Sequence, residues 1–68
     1  MNMTTLLWSG DRIELWRNFQ GYGPTERPTF VVISPQHPTG EMFSGFDNPH
    51  NGQQAIDRVR ELRQAVTP

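Results

Sequence analysis

Thr29-Phe30-Val31-Val32-Ile33 reads as a β-strand with two apolar faces, in a chain of only 68 residues. Successive strand side chains point to opposite sides, so Phe30 and Val32 line one face while Val31 and Ile33 line the other. A single helix hides one of these faces. The other needs a second cover: the amino-terminal segment, another copy of the chain, or a partner. The pattern therefore points to binding before any chemistry is considered.

The length allows one domain, residues 1–68, near the size at which a single core leaves stability marginal. Seven aromatics concentrate the modest apolar content, and each buries roughly 150–250 Å² when enclosed. With no cysteine, a disulfide framework and thiolate chemistry are excluded. The start, Met1 to Trp8, has no basic head and no apolar stretch long enough for a signal peptide or a membrane span, so the expectation is a soluble, cytoplasmic protein without membrane contact. All six basic residues are arginine, set against seven acidic ones, and a net charge of −1 gives no long-range attraction to nucleic acid or anionic lipid.

The periodicity predicts an α+β fold of order β-β-β-α: a three-stranded antiparallel sheet with one carboxy-terminal helix on one face. Residues 1–11 form an amino-terminal segment or edge strand, 12–46 the sheet and 49–67 the helix region. In the first strand, Arg12 to Phe19, alternation sets Ile13, Leu15 and Phe19 on one side and Arg12, Glu14, Trp16 and Asn18 on the other. Gly21, Gly23, Pro24 and Pro28 then make a long loop. Thr29 to Ser34 suits the middle of the sheet, Pro35 to Gly40 reads as a turn, and Glu41 to Phe46 reads as the third strand with Gly45 at a bulge. In the helix, Ala55, Val59, Leu62 and Val66 form one stripe, with Ile56 at its edge and Asp57, Arg60, Glu61 and Gln64 opposite. Two starts fit: a capping box from Asn51 to Gln54, or an earlier one at Asn48-Pro49.

Candidate chemistry is sparse. Ser9, Ser34 and Ser44 stand in no nucleophile-elbow context, and His37 and His50 lie in loop-like stretches without an orienting carboxylate. His37 with Glu41, or Asp47 with His50, matches no recognised metal-ligand spacing. Gly21-Tyr22-Gly23-Pro24 is not followed by a helix that would present its amino terminus to phosphate. So small a domain also leaves little room for a ligand cavity of roughly 300 Å³ or more. The expectation is a non-catalytic protein with no metal and no cofactor.

The order Phe30-Val31-Val32-Ile33-Ser34-Pro35, Pro38-Thr39-Gly40, Gly45-Phe46-Asp47 and Gln54-Ala55 resembles that of HicB-type antitoxins, small β-β-β-α domains. The resemblance implies binding and blocking a small toxin. Three strands backed by a helix, with Gly45-Phe46-Asp47 leading to a helix that contains Gln54-Ala55, also resemble the DNA-binding domains of AP2 type and the amino-terminal domains of some phage integrases, whose sheet face reads the major groove; this implies Arg12, Trp16 and Arg17 as contacts. The absence of lysine and the acidic Glu14, Glu26 and Glu41 count against phosphate binding. The expected function is protein binding through the outer sheet face, by self-association or as an inhibitor, antitoxin-like module or accessory subunit. DNA or RNA binding through the same face is the competing reading. The expected contacts are Trp16, Arg12, Glu14, Tyr22 and Phe43, aromatic and arginine anchors with a polar rim.

Overall fold

The computed structural model describes the backbone of residues 3–20 and 27–66 and the side chains of 5–17 and 28–65. Five elements follow one another: β1 (Met3–Gly10), β2 (Ile13–Gln20), β3 (Arg27–Ser34), β4 (His37–Phe43) and α1 (Asn51–Val66). The strands form one antiparallel sheet in the order β1-β2-β3-β4. The architecture is α+β with a carboxy-terminal helix, but the sheet has four strands where the pattern predicts three. The extra strand is the amino-terminal stretch, which lies beside β2 rather than across a sheet face.

Strand boundaries also differ from the pattern. Asp11 and Arg12 form a two-residue hairpin loop with φ of 52° and 65°, so β2 begins at Ile13 and Arg12 sits at the hairpin tip. The β3–β4 turn is only Pro35-Gln36, and β4 already starts at His37. Residues 38–40 face the single residue Ile33, because Val32 pairs with Glu41 while Ser34 pairs with His37. Proline is tolerated there because β4 is an edge strand. Gly40 has φ of 97° and lies so close to Val31 that a Cβ would stand 2.7 Å from its Cγ1, which restricts the position to glycine.

The core sits between α1 and one sheet face. Ile13 and Leu15 of β2, Val32 of β3 and Ala55, Val59 and Leu62 of α1 are buried together, flanked by Trp8, Phe30 and Phe43. The Ala55/Val59/Leu62 stripe therefore meets the sheet as its spacing predicts, and it meets the Phe30/Val32 side of the central strand. The expected Arg58–Glu61 and Asp57–Arg60 pairs form on the exposed side at 3.1 and 3.9 Å. Arg58 also donates to Glu41 at 2.7 Å, tying the helix to β4. That bond raises the pKa of the guanidinium further above its ordinary value against a smaller opposing effect of desolvation, so Arg58 stays a cation.

Asn48 organises the start of α1. Its Oδ1 accepts the His50 N–H at 3.1 Å, its Nδ2 donates to Gln54 Oε1 at 2.9 Å, and the first helical bond runs from the Gln54 N–H to the His50 carbonyl. The helix itself begins at Asn51 with the His50 carbonyl accepting its first bond, so neither expected start is used as such: Asn48 braces the turn ahead of the helix, and Pro49 lies in that turn. Asn51 instead is buried, and its Nδ2 donates to the carbonyls of Pro28 and Phe43 at 2.9 Å each, which joins β3 and β4 to the helix. Asn51→Ala is expected to lower stability by about 2 kcal/mol, because two carbonyl bonds are lost in a site poor in water. Urea unfolding measures the change; a midpoint equal to that of the wild type would show that the clamp contributes nothing.

Candidate functional site

Helix α1 packs over β3, β2 and β4, and among the described residues no element packs on the opposite sheet face. What that face carries follows from the register. Leu6 pairs with Trp16, Trp16 with Val31, and Val31 with Met42. Directly paired residues point to the same side of a sheet, so these four apolar side chains form one row across all four strands, roughly 14 Å from end to end at about 4.8 Å per strand. Leu6 and Met42, at the two ends, are 44 % and 69 % exposed; Trp16 and Val31 are half-buried. Ile33 extends the apolar area along β3, where it pairs with Glu14. Because position 40 is glycine, no side chain there covers Val31 and Ile33.

Leu6 reaches this row through a β-bulge. The register moves from Leu6↔Trp16 to Trp8↔Leu15, so Leu7 is an extra residue, and the alternation of β1 changes side across it. Leu6 consequently faces outward while Trp8 packs against the core. The Arg63 guanidinium lies 5.2 Å from the centre of the Trp8 ring and donates to Asp11 at 3.1 Å, which fixes the hairpin tip to the end of the helix.

Trp16 has its polar atom already satisfied. The indole N–H donates to Glu14 Oε1 at 3.1 Å, two residues along the same face. An apolar surface laid on the indole therefore leaves no donor stranded, which removes the usual penalty for burying tryptophan. Glu14 is the charged side chain of this face among the described residues, and it stands at the margin of the row.

The expected contact residues are only partly brought together. Trp16 and Glu14 share the helix-free face, whereas Arg12 sits in the exposed hairpin turn and is not a strand residue beside them. Phe43 is not on the outer face: it pairs with Phe30 and packs against the core on the helix side, and its neighbour Met42 takes the outer position. Tyr22 lies outside the described residues. Arg17 pairs with Phe30 on the helix side, away from Trp16. Leu6 and Met42 were not singled out by sequence reasoning. Phe46, 84 % exposed after β4, is a further aromatic at the surface.

His37 lies in β4 rather than in a loop, with Nε2 3.6 Å from Glu41 Oε1, but Glu41 is already held by Arg58. Among the described residues no group of three or more histidine, aspartate or glutamate side chains is placed to hold a metal ion, and no helix is long and apolar enough to cross a membrane. An apolar groove of about 240 Å³ lies on the helix side between Trp8, Leu15, Ile56 and Val59, with Arg60 and Arg63 at its rim. No family model matches the chain, and neither a curated protein nor a solved structure is similar to it at a significant level.

Proposed function

We propose that this protein is a non-catalytic binding module that docks an apolar protein surface on its helix-free sheet face. The observation that carries the reading is the unbroken row Leu6, Trp16, Val31 and Met42, backed by Ile33 and bared by Gly40. A partly exposed tryptophan with its N–H satisfied, between aliphatic neighbours and with one carboxylate at the margin, has the composition of an interface centre with a polar rim. A nucleic-acid partner finds less support on the same face, since phosphate contacts need accumulated positive charge and the charged group there, among the described residues, is Glu14. An inhibitor or accessory role, in which a small domain covers a site on a larger protein, fits a surface that offers shape and apolar area without reactive groups.

Purification of the full chain from its native host tests this. The wild type is expected to carry a stoichiometric protein partner that both Trp16→Ala and Met42→Asp lose, while Gln64→Ala, on the exposed side of α1, retains it. Copurifying nucleic acid released steeply by salt, or a partner retained by both face variants, would overturn the reading.

A further inference from the structure

The two edges of the sheet are built differently. Along β4 the edge is interrupted: Pro38 has no N–H to offer, residues 38–40 bulge against Ile33, and Glu41 is a charge engaged with Arg58. Each of these is a device that prevents strand addition. β1 is the opposite case. Its eight residues, Met3–Gly10, include no charge and no proline, and its single-residue bulge at Leu7 leaves the strand continuous on both sides. Three of the exposed large apolar side chains lie along it or beside it: Leu6 on the helix-free side, Leu7 at the bulge, and Ile56, which shares the helix-side groove with Trp8.

We propose that β1 pairs antiparallel with β1 of a second copy across a two-fold axis, giving an eight-stranded sheet with Leu6 opposite its counterpart. This rests on the edges and not on the face-docking reading. Three features favour a second copy as the occupant. An antiparallel pairing about a two-fold is self-complementary, and the uncharged Thr5-Leu6-Leu7 segment meets itself without repulsion. The interrupted β4 edges stop further addition, so association closes at two rather than growing into a fibre. The Leu6 register also aligns the two apolar rows into one, while the two-fold sets both α1 helices on the same side of the sheet.

The test uses the full chain, which has no cysteine. Sedimentation equilibrium should give twice the mass of one chain, with the amides of β1 becoming protected from hydrogen exchange as concentration rises. Leu7→Lys, at an exposed position, should weaken the dimer by roughly tenfold or more with its unfolding midpoint unchanged, because each lysine then lies opposite Thr5 of the other strand and the two stand diagonally across the axis, about 7–8 Å apart. Leu6→Cys should oxidise readily to a disulfide-linked dimer, since directly paired strand residues have Cα atoms about 4.5–5.5 Å apart, and Met42→Cys should not. A monomer at all concentrations, a dimer indifferent to Leu7→Lys, or linkage through Met42→Cys in place of Leu6→Cys would each overturn edge pairing. If the monomeric chain still loses its partner on Trp16→Ala, the edge proposal fails while the docking face stands.

Discussion

Leu62→Ala is expected to lower the melting temperature by roughly 10–20 °C, the largest stability effect of any single truncation proposed for this chain. Leu62 is 3 % exposed and is one of six buried apolar residues that make up the core among the described residues. Removing its branched end forfeits burial and leaves a cavity that α1 closes only in part, for about 3 kcal/mol. A chain of this length holds roughly 3–10 kcal/mol in total, so the loss takes a large fraction of it. Calorimetry or thermal circular dichroism reads the shift. A melting temperature within a few degrees of the wild type would mean that the helix does not press this face against β2 and β3.

Trp16→Ala is expected to do the reverse, sparing the fold and removing function. Truncating a central interface tryptophan weakens association by about 2 kcal/mol or more, close to a thirtyfold rise in Kd. The isolated domain should lose only about 1 kcal/mol, because the indole lies outside the buried core and its own contacts are the neighbouring row and the bond to Glu14. Titration calorimetry with the purified partner and urea unfolding of the free variant separate the two effects. Unchanged affinity, or unfolding as severe as that of Leu62→Ala, would return Trp16 to a structural role.

The contrast between these residues was legible in the sequence where the periodicity is clean. Ala55, Val59 and Leu62 recur at helical spacing, and Trp16 is out of phase with Ile13 and Leu15 on a regular strand; both patterns translate directly into the buried and outer faces. The outer face of the central strand was legible as a face in need of a cover, but its identity was not, because Phe30/Val32 and Val31/Ile33 are equally apolar. The structure resolves it through α1, which packs on Phe30 and Val32.

The rest was hidden by irregularities that alternation cannot register. In β1 the bulge at Leu7 places Leu6 and Trp8 on opposite faces, although two residues apart on an unbroken strand share one. The segment therefore lacks a strand signature. In β4, Pro38 and Gly40 read as turn residues, yet an edge strand tolerates the proline and a wide bulge uses the glycine. That reading started the strand at Glu41 instead of His37, and the outer position was given to Phe43 where the register puts Met42. Asn51 resembled a cap, while its contribution comes from the carbonyls of Pro28 and Phe43, which only the folded sheet brings to it.

The helix-free face should be covered when the protein works. Hydroxyl-radical labelling of the isolated chain and of the complex purified from its host tests this side chain by side chain. Reactivity at Leu6, Trp16 and Met42 should fall together when the complex assembles, since the three lie in one row. Full reactivity of these residues in the complex, with protection confined to helix positions such as Ile56, would contradict it.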